Sequence, residues 1–415
     1  MNLRSLITSL CLAGAISASA AEPAVPAKAG NPLAALPSKP GPHLEKIKAL
    51  GDDAWLDLGS PEPDPKWGKS RGRAFSPKAA YAPDLNGAFY CATGVHGFVK
   101  PDGHYMDDLF FYDVNAHRWI CLYPGASKET RLKLDEHGFE VTPDGEANPV
   151  SYFSHAYNML TYNPRLRRFM IINHPCPWWA RALPQRAEWL GVPADKINGY
   201  NLGKLNGSPK HPIFWSVDGN KWERRFVADP VDPGKDLGVL EYLPEKEQAF
   251  YMAGGRAWFY DFKDGRWIDP KARLDAKIKY DYVGCHDSKR DRIYILDEDN
   301  LFGYDLEANQ WTTLAKASHP FGYSTKGQLD FDAASGMVIG MSFAGTKEGK
   351  PRGACVYDPD KNEWSDPVAA MPAPRGPTSC FYHPELNVHY LYTAGDSNDN
   401  GTMLVYRYKR SAAKD

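Results

Sequence analysis

The chain has 415 residues, 43% of them hydrophobic and 13% aromatic, so it is long enough to bury a large core. Its 49 basic side chains nearly balance its 51 acidic ones, which leaves a formal net charge of −2. This balance argues against nucleic acid as a partner, because nucleic-acid-binding domains carry a basic excess. After the amino-terminal segment no stretch reaches the 18 apolar residues that a membrane span needs, so we expect no transmembrane segment.

Residues 1–20 have the pattern of a secretory signal peptide. Arg4 precedes a long apolar run, and the stretch from Ala18 to Ala20 fits the small-residue cleavage site of such signals. We expect cleavage after Ala20 and therefore an exported protein, either periplasmic or extracellular.

Residues 21–50 are rich in Ala and Pro and contain few large apolar side chains, which predicts a flexible tether. Residues 51–410 are predicted to form one domain. Its first predicted strand, from Ala54 to Leu58, contains Trp55 and has no hairpin partner before it.

Five stretches share a hairpin pattern, in which an aromatic ends one apolar run and a Trp opens the next seven positions later. Turn-forming Asp, Asn and Gly residues lie between the two. The five are Tyr112–Trp119, Trp215–Trp222, Tyr260–Trp267, Tyr304–Trp311 and Tyr357–Trp364. Three successive intervals between the Trp residues are 45, 44 and 53, after a first interval of 103 that is about two units. Such a repeat of short strands is typical of β-propeller blades.

A second recurrence marks the first hairpin of each blade. An aromatic or His residue precedes a short polar turn, four times with Pro two positions later, and another apolar run follows. The six residues are Tyr81, Tyr162, Tyr242, His286, Phe331 and Tyr382. We interpret His286 as structural, because it occupies the position of an aromatic in the other units.

The last unit, from about Gly376 to Lys409, lacks a Trp strand after its third strand. This gap complements the unpaired strand that contains Trp55, and pairing the two would remove both exposed edges. The sequence therefore predicts an all-β fold: a six-bladed β-propeller of four-stranded antiparallel blades, closed by an amino-terminal strand that completes the last blade.

Six cysteines follow the predicted cleavage site at wide, irregular intervals: Cys91, Cys121, Cys176, Cys285, Cys355 and Cys380. Cys91 and Cys121 fall on the second and fourth predicted strands of one blade, roughly 9 to 10 Å apart, which is too far for a disulfide. We predict buried free thiols.

The hairpin pattern resembles that of kelch-repeat β-propellers, the class that includes the central domain of galactose oxidase. The kelch double glycine is present at Gly254 and Gly255. The resemblance implies that binding sites collect around the propeller axis, on the face where the innermost strands begin.

Cationic residues are predicted to converge on that face. Counting back about seven positions from each innermost aromatic gives Arg73, His155, Lys235, Lys279, Lys326 and Arg375. If they meet at one axial mouth they create a positive potential despite the near-neutral chain. The alternative is that several of them point outward to solvent.

Two loops between second and third strands add to this face. One contains His96 and His104, and the other begins at His174 and continues through the paired Trp178 and Trp179 into an insertion over residues 179–211. A short helix is predicted between Ala180 and Leu190, as part of a rim or lid. The two Trp rings suit stacking on sugar rings or packing on the blade below. His96, His104 and His174 are candidate ligands for a divalent transition metal.

The leading hypothesis is a site for an anionic, uronate-type carbohydrate or cell-surface glycan, with cleavage by β-elimination as in a polysaccharide lyase. His155 is the candidate base and Tyr157 the candidate acid. Arg73 and Arg375 would hold the carboxylate, and Lys235, Asn158, Trp178 and Trp179 would complete the substrate-binding set. We expect a monomer.

Two alternatives remain open. The protein is a non-catalytic, kelch-like interaction module, or it is a copper enzyme similar to galactose oxidase, with candidates among His96, His174, Tyr157 and Cys176. No G-x-S-x-G motif, phosphate loop or dinucleotide fingerprint is present.

Overall fold

Six small antiparallel sheets form a closed ring in the computed structural model, and each sheet is one blade of a β-propeller. The innermost strand of each blade contacts those of its two neighbours around the whole circle. The structure describes residues 30–73, 76–91, 108–125, 131–146, 156–172, 183–197, 211–225, 227, 238–278, 282–297, 300–314, 327–343, 353–365, 369–372, 378–394 and 401–410. The predicted six-bladed architecture is confirmed.

Each blade contains four strands in order from the axis outward, and blade 5 has a short fifth strand. Blade 1 contains β2 (Ala80–Ala82), β3 (Gly87–Cys91), β4 (Leu109–Asp113) and β5 (Arg118–Tyr123). Blade 2 contains β8 (Leu160–Asn163), β9 (Arg168–Ile171), β10 (Ile213–Ser216) and β11 (Lys221–Arg224). Blade 3 contains β12 (Gly238–Leu243), β13 (Gln248–Ala253), β14 (Arg256–Asp261) and β15 (Arg266–Ile268).

The other three blades follow the same order. Blade 4 contains β16 (Val283–Asp287), β17 (Arg292–Leu296), β18 (Leu301–Asp305) and β19 (Gln310–Thr313). Blade 5 contains β20 (Gly327–Asp332), β21 (Met337–Ser342), β22 (Gly353–Asp358) and β23 (Glu363–Trp364), and β24 (Ala369–Ala370) also pairs with β22. Blade 6 contains β25 (Thr378–His383), β26 (Val388–Thr393), β27 (Thr402–Arg407) and β1 (Ala54–Asp57).

The Tyr-to-Trp pattern forms the outer hairpin of five blades. In each hairpin the Trp lies directly across from the aromatic seven positions earlier, as in the Tyr304 and Trp311 pair. The residue two positions before each Trp has a left-handed backbone, with φ values between 47° and 63°. Asn and Gly, which tolerate this conformation, occupy four of the five positions. The turn chemistry therefore sets the register of these hairpins.

The ring is closed as the sequence predicts. β1 pairs antiparallel with β27, which places Trp55 directly across from Tyr406 with ring centroids 4.7 Å apart. An amino-terminal strand thus supplies the outermost strand of the last blade and covers its edge.

Six hydrophobic clusters fill the spaces between neighbouring blades within the described residues. Between blades 1 and 2, for example, Phe89 stacks on Tyr162 and Phe169 at centroid distances of 5.3 and 5.1 Å. Because each blade buries both faces against its neighbours, its strands are apolar along most of their length.

Residues 30–50, which composition assigns to a flexible tether, instead pack against the propeller. Leu33 is fully buried between blades 1 and 2, and α1 (His43–Ala49) buries Leu44 and Ile47 between blades 1 and 6. The Asn31 side chain also donates a hydrogen bond to the Val217 carbonyl of blade 2 (2.7 Å). This segment, the N-terminal strap, therefore crosses three blades. Residues 21–29 and the predicted signal peptide lie outside the described residues.

The predicted short helix is confirmed as α2 (Leu183–Leu190). Arg186 on α2 binds Glu140 through two hydrogen bonds of 3.0 and 2.7 Å, with both side chains buried. Glu140 belongs to a small hairpin of β6 (Lys133–Leu134) and β7 (Glu140–Val141). Neither α1 nor α2, the α-helices of the described ranges, is long and apolar enough to cross a membrane.

The five cysteines within the described residues, Cys91, Cys121, Cys285, Cys355 and Cys380, form no disulfide with one another, as predicted. All but Cys121 are buried. Cys176 lies outside that part of the chain.

Candidate functional site

Most of the residues proposed from sequence lie outside the part of the chain that the structure describes. They are His96, His104, His155, His174, Cys176, Trp178, Trp179, Lys235, Lys279, Lys326 and Arg375. The cationic ring, the histidine metal site and the base of the elimination mechanism therefore stay predictions. Arg73, Tyr157 and Asn158 can be placed.

Arg73 lies before β2 and is buried, with 1% of its surface exposed. Its guanidinium binds the Asp108 carboxylate in a forked geometry, at 2.6 and 3.1 Å, and donates to the Ser70 hydroxyl at 3.1 Å. A substrate carboxylate would have to compete with Asp108 for this guanidinium.

Tyr157 and Asn158 lie just before β8, the innermost strand of blade 2. Tyr157 is buried in the cluster between blades 2 and 3 and has a left-handed backbone with φ 46°. The Asn158 amide is fully buried: it donates to Gln328 of blade 5 (2.9 Å) and accepts from the Gly284 N–H of blade 4 (3.1 Å). Asn158 thus joins three blades across the axis.

An open cavity of about 480 Å³ lies on the axis, where the turns between first and second strands converge. Every innermost strand contributes to its wall. The six residues of the second recurrence all line it: Tyr81, Tyr162, Tyr242, His286, Phe331 and Tyr382. The sequence identified these residues as repeat markers, and ring closure brings them together at one site.

The phenol groups of this wall are bound to the protein itself. The hydroxyls of Tyr81, Tyr162 and Tyr382 donate to Glu385 (2.8 Å), Asp84 (3.2 Å) and Asn387 (2.9 Å). Burial and then the neighbouring carboxylates raise the pKa of Tyr81 and of Tyr162 well above the usual value. These side chains therefore offer ring surface to the cavity, and their phenols stay protonated.

Three charged side chains line the cavity closer to its inner end. The Lys78 ammonium donates to Glu241 and to the Leu240 carbonyl, both at 2.6 Å, and so links blade 1 to blade 3. Burial raises the pKa of Glu241, and Lys78 partly opposes that rise. Asp330 of blade 5 is the third.

Two buried side chains, His389 and Cys380, contact the Asp330 carboxylate on the side away from the cavity. Its Oδ2 atom lies 3.3 Å from Nδ1 of His389 and 3.7 Å from the Cys380 thiol. His389 is fully buried, and its Nε2 atom lies 3.8 Å from Asp332. Burial alone would lower the pKa of His389, but the two carboxylates raise it above its usual value. His389 therefore positions Asp330 at the cavity wall.

The described residues of the cavity wall include one ammonium and two carboxylates, so their charge is opposite in sign to the cationic ring predicted for the other face. Sequence reasoning missed Lys78, Glu241 and Asp330 as site residues. The available signal was a charged residue in or just before the innermost strand, one to three positions before the recurring aromatic.

Within the described ranges, His, Cys, Asp and Glu side chains form no group of three that could hold a metal ion. The predicted metal ligands lie outside those ranges. The described cavity can bind a small ligand through contacts with its aromatic rings and through a few charged or polar groups.

Searches with protein-family models and with curated protein sequences find no match to this chain.

Proposed function

We propose that the protein is a carbohydrate-binding propeller that holds a sugar residue in its axial cavity. The observation that carries the proposal is the convergence of aromatic side chains from the blades around a cavity of about 480 Å³ whose wall also contains Lys78, Glu241 and Asp330. This volume lies within the roughly 300–1,000 Å³ of small-ligand sites.

Sugar recognition combines apolar contact with directional hydrogen bonds. The C–H faces of a sugar ring pack on aromatic surface, and here the phenols are already bound to neighbouring side chains. The hydroxyl groups of a sugar need charged or polar partners, which Glu241, Asp330 and His286 supply at the cavity wall. The tyrosines therefore contribute ring surface to the proposed site, and these other side chains contribute its polar groups.

The first prediction uses cavity-blocking variants. Ala333 and Ala308 are both exposed turn residues, but Ala333 lines the cavity mouth and Ala308 lies in an outer hairpin. Titrating the purified protein calorimetrically with a panel of neutral, acidic and amino sugars and their short oligomers should identify a binder. Ala333→Trp should weaken that binding at least about tenfold, equivalent to about 1.4 kcal/mol.

Ala308→Trp is the matched control and should bind as the unmodified protein does. If no sugar in the panel binds, or if Ala333→Trp binds as well as Ala308→Trp, the axial cavity is not a carbohydrate site.

Cleavage of a uronate polymer at the opposite face is a second proposal, supported by the sequence positions of His155 and Arg375. It has its own test, since a lyase releases unsaturated, ultraviolet-absorbing chain ends. Export and membership of the kelch class likewise stay predictions from the sequence.

A further inference from the structure

The charged side chains at the inner end of the axial cavity differ in how many of their polar atoms are bound within the protein. The Lys78 ammonium already donates to Glu241 and to a backbone carbonyl, so its charge is paired within the protein. Asp330 makes its hydrogen bonds and its ion pair through Oδ2 alone, so its Oδ1 atom accepts none from the described residues. The Asp330 side chain is 13% exposed and lines the cavity.

The groups around Asp330 leave a negative potential at this wall. Lys78 balances Glu241, and a protonated His389 balances one of Asp330 and Asp332. Among the described residues, one of these carboxylates is therefore left without a balancing cation, and two are left so when His389 is neutral. The nearby Cys285 and Cys380 thiols add no charge, since burial and then these carboxylates raise their pKa values well above the usual range.

An aromatic ring lies close to this carboxylate. Tyr382 of the neighbouring β25 lines the cavity, and its ring centroid lies 4.9 Å from that of His389, which contacts Asp330. Phe331 and Phe381 also line the cavity, but they pack in the clusters on the far sides of blades 5 and 6. A cation is attracted both to a carboxylate and to the face of an aromatic ring. An anionic group would be repelled by the same carboxylate, and no free ammonium among the described lining residues would offset that repulsion.

We infer that the axial cavity selects a ligand with a protonated amine, which Asp330 binds, and that among sugars it prefers those with a free amino group. The sugar part of this inference rests on the proposed function, whereas the amine part rests on the charge and aromatic lining of the cavity. The preferred class is thus the opposite of the uronate class predicted for the other face.

The experiment compares oligomers of glucosamine with those of N-acetylglucosamine, which differ in the amine, and with glucose and glucuronate oligomers, by calorimetry. Glucosamine oligomers should bind at least about tenfold more tightly than the acetylated ones, and added salt should reduce that preference. Asp330→Asn should abolish it. Asp360→Asn, which removes a largely exposed carboxylate outside the cavity, should retain it.

Tyr382→Leu provides a second variant, because it keeps the Asp330 carboxylate and removes the Tyr382 ring. It should weaken amine binding roughly two- to fivefold, the range expected for one cation–π contact. If Asp330→Asn does not fold, this variant and the salt dependence test the amine preference instead.

The outcomes separate the two proposals. Equal binding of acetylated and free-amine oligomers, blocked by Ala333→Trp, would overturn the amine preference and leave the carbohydrate site standing. Binding of a simple polyamine such as spermidine, with no binding of any sugar, would overturn the carbohydrate proposal and keep the cation site. An amine preference that survives Asp330→Asn would refute the role of that carboxylate.

Discussion

At the scale of single residues, a local hydrogen bond supports the left-handed position in three of the five outer hairpins. The hydroxyls of Tyr304 and Tyr357 donate to Asn309 and Asn362, the residues with positive φ, at 3.0 and 2.7 Å. His117 takes the same position in blade 1, with φ 53°, and lies 2.7 Å from the Tyr112 hydroxyl. A titratable group therefore occupies a place that Asn fills in three other blades.

This exchange predicts an acid-sensitive turn. Burial and then the neighbouring His43 lower the pKa of His117 from 6.5 to about 4, against the opposing effects of the Leu58 backbone and Asp57. Because the unfolded chain takes up the proton more readily, the stability due to neutral His117 is present above pH 6.5 and is lost as the pH falls towards about 4.

His117→Asn keeps a residue that tolerates positive φ and removes the titration. Urea denaturation at about pH 7 and about pH 4.5 should show a smaller loss of stability for this variant than for the unmodified protein. An equal loss in both would show that His117 does not carry the acid sensitivity.

At the scale of elements, the N-terminal strap shows where sequence reasoning ends. Its composition is that of a tether, and only a few large apolar residues, among them Leu33, Leu44 and Ile47, anchor it. Their partners lie on blades that are far away in sequence, so no local pattern could reveal the packing. The outer hairpins, by contrast, are predictable because an aromatic, a left-handed turn residue and a Trp lie within eight positions.

The packed strap makes a stability prediction. Ile47→Ala removes a fully buried side chain and should lower the free energy of unfolding by about 2 to 4 kcal/mol. Lys46→Ala changes an exposed neighbour on the same helix and should cost less than about 0.5 kcal/mol. Chemical denaturation of both variants measures the difference. Similar small effects for the two would mean that residues 30–50 are not held against the blades in solution.

At the scale of the whole molecule, ring closure is what creates the candidate site. Tyr81 and Tyr382 are about 300 residues apart in sequence, yet both line one cavity because blade 1 lies next to blade 6. The repeat predicts this convergence, since it places an aromatic or His at equivalent positions in six units. It does not predict Lys78, Glu241 or Asp330 as site residues, because the residue before the recurring aromatic or His is acidic only in blades 3 and 5. Lys78 of blade 1 pairs with Glu241 of blade 3, a contact between distant parts of the sequence.

The most direct test of the account is a crystal structure of the protein with a bound glucosamine oligomer. We predict one sugar ring in the axial cavity, against the aromatic side chains contributed by the blades, with its amine within hydrogen-bonding distance of Asp330. A sugar bound only at the opposite face, with the axial cavity empty, would contradict the account.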